Sequence, residues 1–196
     1  FSIAEKLREH GFSALELNGE LEQKDRDQVL VRFSNRSVSV LVATDVASRG
    51  LDIDQLDAVI NWHIPRDIEA YVHRVGRTGR AGARGKAFTL ITEKEQGRLT
   101  QLEKYLQTQL PLKPLPTASF LQKPATQPSM IALEINGGKR LKLRPGDILG
   151  ALTATKSTTG TQVGKINVLD NWSFVAVNRE VAETALRILT KSEVKG

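Results

Sequence analysis

The sequence contains no cysteine. That excludes a disulfide framework and a thiolate metal site, and it fits a reducing compartment, which we expect to be the cytoplasm. Only three histidines occur, His10, His63 and His73, scattered along the chain. A zinc site built on imidazoles is therefore not expected, and no other metal site is predicted. Aromatic residues are scarce at 5%, which makes Trp62 and Trp172 worth locating. No apolar run approaches the roughly 20 residues of a membrane helix. No signal-peptide pattern is present either, so no membrane partner is expected. The one methionine is Met130 and the chain begins at Phe1, which predicts a fragment of a longer protein.

What is present bounds the rest. The chain has 196 residues and 40% hydrophobic content, enough for one large or two small packed domains. The net charge of +6 is unevenly spread. Residues 1–116 hold 17 Lys/Arg against 16 Asp/Glu, and residues 117–196 hold 11 against 6. A basic excess confined to the C-terminal part suggests a polyanion partner there, the alternative being a merely soluble basic surface.

Two ordered motifs stand out. His73-Arg74-Val75-Gly76-Arg77-Thr78-Gly79-Arg80 packs three arginines and a histidine around two glycines. Arginine is permanently charged and its planar donors match phosphate oxygens. Glycine lets the backbone turn or approach a ligand closely. Upstream lies Ala43-Thr44-Asp45-Val46-Ala47-Ser48-Arg49-Gly50-Leu51-Asp52-Ile53, behind the β-rich apolar run 38–42. A polar loop after a buried parallel strand is where open α/β sheets place ligands. Taken alone, this second motif reads equally as an ordinary connection.

Together the two motifs resemble motifs V and VI of the DEAD-box RNA helicases. Gln23-Lys24-Asp25-Arg26, after Asn18-Gly19-Glu20-Leu21, resembles that family's QxxR element. The resemblance covers residues 1–110 and implies the second RecA-like domain. His63 stands where the family usually has an acidic residue.

Hydrophobic period supplies the elements. Residues 2–10 read as a helix stopped by Gly11, 14–17 as a strand, and 22–33 as a helix ended by Asn35. A strand at 38–43 leads into a loop at 45–53, and 58–62 reads as a buried strand. Asp67 is suited to N-cap a helix running to 75. A strand at 86–91 precedes a helix at 93–110 with Leu99, Leu102, Leu106 and Leu110 as its stripe. Strands alternating with helices predict an α/β domain with a parallel sheet covered on both faces.

Residues 111–128 carry five of the seven prolines and read as an extended linker. The pattern then restarts over 129–196. A strand at 131–135, a turn at 136–138 and a basic stretch at 139–144 come first. A helix opens at Pro145 with Ile148, Leu149 and Leu152 inward, and a loop covers 153–164. Strands at 165–168 and 172–177 follow, then a helix capped by Asn178. This β-α-β-β-α order predicts a small α+β, RRM-like split βαβ domain lacking its last strand. Asp170-Asn171-Trp172-Ser173-Phe174-Val175-Ala176-Val177 overlays the RNP1 pattern loosely, with Asp170 in place of a basic residue and Asn171 in place of glycine. Alternation puts Trp172, Phe174 and Ala176 on one face, as packing residues or as base platforms. The runs 136–140, 144–152 and 163–166 resemble the RNA-binding domain of a bacterial DEAD-box helicase directed to 23S ribosomal RNA.

The resemblance implies the C-terminal part of an ATP-dependent RNA helicase that remodels 23S rRNA in pre-ribosomal large subunits. ATP with Mg2+ would be bound mainly by a preceding RecA-like domain, since no G-x-x-x-x-G-K-[ST] loop occurs in the chain. Gly50, Asp52, Arg77 and Arg80 would complete that site, Arg77 and Arg80 as its catalytic arginines, and His73 would couple the domains. Gly19, Gln23, Arg26 and Thr44 would contact the RNA backbone. Lys139, Arg140, Lys142, Arg144 and Lys165 would form the basic surface of the C-terminal module, with Trp172 and Phe174 as further RNA candidates. The alternative is a non-catalytic RNA-binding scaffold.

Overall fold

A computed structural model describes residues 2–48, 53, 56–79 and 84–191. The chain divides into two compact units, residues 1–48 with 123–196, and residues 49–122.

In the first unit, helix α1 (Ile3–Glu9) starts from Ser2, whose hydroxyl accepts from the Glu5 amide while the Glu5 carboxylate accepts from the Ser2 amide. That reciprocal cap satisfies two orphan donors of the first turn. Gly11 follows at φ +84°, the left-handed conformation that suits glycine after a helix. Strand β1 (Ala14–Leu17) pairs in parallel with β2 (Val40–Ala43), and α2 (Gln23–Ser34) connects them. A short helix, α3 (Asp45–Ser48), occupies the start of the stretch read as a loop. Thr44 explains the difference, because its hydroxyl accepts from the Ala47 amide at 3.4 Å and opens a turn.

The second unit holds β3 (Ala58–Asn61), α4 (Ile68–Val75), β4 (Lys86–Thr89) and α5 (Gln96–Leu106). β3 and β4 pair in parallel. Asp67 caps α4 by accepting from the Glu69 amide at 3.0 Å. Ile64, Tyr71, Leu99 and Leu102 form the core, with Ile68, Val75, Ile91, Leu106 and Leu110 packed around it. The reading of 58–62 as a buried strand needs correction. Ile60 is 66% and Trp62 62% exposed, and Phe88, opposite Ile60, is 53% exposed. An apolar run gives strand propensity but does not say what covers its faces. Helix α5 also stops before 110, where Gln107 takes a left-handed conformation.

Residues 111–124 are exposed and hold no regular structure but a 3-10 turn at Ala118–Gln122. Strands β5 (Met130–Ile135), β6 (Val163–Val168) and β7 (Ser173–Asn178) form an antiparallel sheet in the order β5-β7-β6. Helices α6 (Pro145–Thr153) and α7 (Ala182–Lys191) pack on one face of it. There Leu143, Ile148, Leu152, Val175, Val177, Ala182 and Ala185 make one core. Each of the buried Leu, Ile and Val side chains contributes about 1.5–3 kcal/mol on burial. Two smaller readings also change. Leu149 is 39% exposed, one position round the helix from the buried Ile148. Asn178 makes no side-chain cap; the chain enters a 3-10 turn at Arg179–Val181 before α7 begins.

Candidate nucleotide and nucleic-acid sites

The arginine motif lies at the C-terminal end of α4 and just beyond it. His73 is exposed in the last turn, while Arg74 and Arg77 are half-buried. Arg74 donates from Nη1 to Asn61 Oδ1 at 3.2 Å, and Asn61 Nδ2 donates to Thr89 Oγ1 at 3.2 Å. Asn61 is only 2% exposed, so one buried amide ties α4 to the ends of β3 and β4. This role of Arg74 and Asn61 was not visible in the sequence, where Asn61 sat inside an apolar run.

Beyond α4 the backbone is held by Leu56. Its amide donates to Arg77 O at 3.1 Å, and the Thr78 hydroxyl donates to Leu56 O. Gly79 takes φ +69°, the left-handed conformation that favours glycine. A side chain at Gly85 would collide with the Thr78 hydroxyl and the Gly79 amide, so 78–79 and 85 pass backbone to backbone. Arg77 thus sits on a rigid end of α4, with chemistry suited to a phosphate. Gly50, Asp52 and Arg80 lie outside the described residues. Among the described residues no group of three His, Asp or Glu could hold a metal ion.

In the first unit, the N-terminal end of α2 carries Gln23 and Arg26. Gln23 donates to Asp27 Oδ1 at 2.7 Å, and Arg26 Nη2 donates to Ala47 O at 2.5 Å. The carbonyl end of α3 suits a cation, so Arg26 links α2 to the turn that Thr44 opens. Gly19 is exposed with nothing near its Cα hydrogens, in a turn where Asn18 Oδ1 accepts from the Glu20 amide. Gly19, Gln23 and Thr44 are all exposed.

The basic stretch of the module forms a built turn. Lys139 N donates to Leu169 O at 2.8 Å and Arg140 N to Asp170 O at 3.1 Å. The buried Ser173 hydroxyl donates to Gly137 O at 2.7 Å. A Cβ at Gly138 would lie 2.7 Å from Asp170 O and closer still to Leu169 O, so only glycine permits this approach. Lys142 adopts a left-handed φ of 57°. Asp147 caps α6 by accepting from the Arg144 amide at 2.8 Å. Lys139, Arg140, Lys142, Arg144 and Lys165 are all exposed. Trp172 is half-buried, and Lys24 Nζ stands 4.4 Å from the centre of its ring. Phe174 is 2% exposed and presents no open ring face to a base.

Comparison with known proteins places these sites in context. Residues 1–82 match the helicase conserved C-terminal domain, and residues 132–196 match the DbpA RNA binding domain. The chain is 45% identical to the ATP-dependent RNA helicase DbpA of Escherichia coli, covering 100% of this chain and 42% of that protein. It is 31% identical to the DbpA of Bacillus subtilis, with 99% and 45% covered. It therefore spans less than half the length of these relatives. Among solved structures, the E. coli DEAD-box protein SrmB bound to regulator of ribonuclease activity A superposes with a TM-score of 0.55. That match has 36% identity and covers 64% of this chain and 72% of the SrmB chain. A DEAD box protein from Methanococcus jannaschii gives 0.51 at 42% identity, over 54% of this chain and 29% of that one.

Proposed function

Because the chain belongs to the DEAD-box RNA helicases, we propose that it works as the C-terminal part of an ATP-dependent enzyme that remodels 23S rRNA in pre-ribosomal large subunits. In this reading residues 1–110 are the second RecA-like domain, 111–128 a linker and 129–196 the RNA-targeting module. The observation that carries it is similarity to DbpA helicases along the whole chain, through both segments.

Gly50 and Asp52 line the nucleotide and Arg77 and Arg80 reach its terminal phosphate, with Arg80 as arginine finger. Such an arginine is typically worth about 10³–10⁵ in rate, because it stabilises charge that develops during transfer. ATP would supply the phosphoryl group, and Mg2+ would be held chiefly by a preceding domain. His73, exposed on α4, couples the domains. Gly19, Gln23, Arg26 and Thr44 position RNA by its backbone. Lys139, Arg140, Lys142, Arg144 and Lys165 direct the enzyme to its target, and tethering raises the local concentration of the helicase core there.

The test joins the chain to a phosphate-binding first domain and measures RNA-stimulated ATP hydrolysis. The chain alone should hydrolyse no ATP. In the joined enzyme Arg80→Ala should lower kcat by far more than tenfold with RNA affinity nearly intact. A drop below about tenfold would overturn the finger assignment. Turnover by the chain alone would overturn the division of the site.

A further inference from the structure

On the central strand β7 the side chains of both sheet faces are buried. Val175 and Val177 point into the core under α6 and α7. Phe174 and Ala176, on the opposite face of β7, are 2% and 0% exposed. A sheet face that binds bases needs its aromatic rings open, and this one is covered.

Helix α2 identifies the cover. Lys24 Nζ sits 4.4 Å above the Trp172 ring, and Lys165 Nζ reaches Ser34 Oγ at 3.5 Å. Residues 24, 27, 31 and 34 fall on one helical face by their spacing. Val31 on that face is 8% exposed although Arg32 beside it is exposed. Asp27 lines, with Gln23, Lys24, Lys139, Leu169, Asp170, Asn171 and Trp172, a groove of about 360 Å³ where α2 meets the module.

The dimensions agree. From Lys24 to Ser34 a helix rises roughly 15 Å. Lys165 lies between the paired rows Val163–Val177 and Ile166–Val175, level with Ala176. Trp172 to Ala176 is four strand residues, or roughly 13 Å. Two contacts of similar separation, one at Trp172 before β7 and one at Lys165 on β6, set α2 across the side of the sheet that carries Phe174 and Ala176.

We propose that this sheet face of the module is a docking surface for helix α2, locked by the Lys24 ammonium on the Trp172 ring and closed to RNA bases. The proposal rests on reading the module as RNA-binding. It fixes Lys139 beside Gln23 in one groove, so that the targeting turn and the backbone track of α2 hold a set distance. A cation over an aromatic face is a specific contact, since the ring quadrupole attracts only positive charge. RNA is then left to the basic turn.

The absence of cysteine makes the test clean. Spin labels at Asp25→Cys on α2 and Arg187→Cys on α7, both exposed positions, report the α2-to-module distance in the full chain. We expect one narrow distribution that stays narrow when a mixed-sequence single-stranded RNA is added. Lys24→Glu and Trp172→Ala should broaden it, and Trp172→Phe, which keeps a ring face, should preserve it. RNA affinity of Trp172→Ala should change by less than about twofold, whereas losing a base-stacking ring costs roughly five- to 150-fold. A broad distribution in the unsubstituted chain would overturn docking. RNA-induced broadening together with a more than fivefold loss of affinity in Trp172→Ala would make the face a base platform after all. A narrow distribution with no measurable RNA binding would leave docking standing and sink the RNA-binding reading instead.

Discussion

At the scale of single residues, Gly138 and Asn61 shape the basic turn and the end of α4 through packing and hydrogen bonds. Gly138→Ala would press a methyl group onto the carbonyls of Leu169 and Asp170. Backbone cannot retreat like the end of a side chain, so the amides of Lys139 and Arg140 lose their acceptors. We expect a stability loss of about 1–3 kcal/mol, read as a lower urea midpoint at unchanged slope, and weaker RNA binding with it. Asn61→Leu would remove the buried amide that accepts from Arg74 and donates to Thr89. A loss of about 1–3 kcal/mol is expected there too. Asn61→Asp, which keeps the acceptor facing Arg74, should recover part of it. Equal losses in both variants would show that the amide fills space and does not position α4. Neither residue announced itself in the sequence. Gly138 sat in an ordinary Asn-Gly-Gly turn, and its necessity appears only once residues 169–170 are packed against it. Asn61 sat inside an apolar run, and its two partners lie 13 and 28 positions away.

At the scale of elements, period and capping chemistry carried most of the reading. Strand β1, helix α4 with its Asp67 cap, and helix α6 opening at Pro145 follow from local signals. The readings that changed depend on what lies across from an element. Burial of β3 could not be inferred from Ala58, Val59 and Ile60, because a run of apolar residues looks the same with one face open. Helix α3 needed Thr44 to be recognised as a cap, not as part of a loop. Before α5, Thr92 and Glu95 form a cap visible in the spacing T-x-x-E. The Thr92 amide and then its hydroxyl donate to the Glu95 carboxylate, and they hold its pKa below the usual carboxylate value. A carboxylate depressed in the folded state adds stability above its unfolded pKa and loses it as pH falls through the lowered value. Glu95→Gln should therefore flatten a small part of the acid limb of stability against pH, with neutral-pH activity unchanged. An unchanged acid limb would show that the cap does not persist in solution.

At the scale of the whole molecule, charge divides the labour. Residues 1–116 are nearly balanced, and the basic excess lies beyond them. In the proposed function that balanced segment meets RNA through its backbone, and phosphates carry no sequence information. On that proposal selectivity would come from the module, where Lys139, Arg140 and Lys142 crowd one exposed turn. Each phosphate that such a cation neutralises releases counterion, so affinity falls with salt at a slope near −0.7 per contact for a single strand. Replacing all three by Gln should weaken binding of a 23S rRNA fragment and shallow the log–log salt slope by about 2. Stability should hold, because these side chains are exposed. A variant that keeps the full slope would remove the turn from the RNA interface. One that loses affinity at an unchanged slope would mean that the turn acts through its shape, by way of the Gly138 clamp on residues 169–170, and not through its charge.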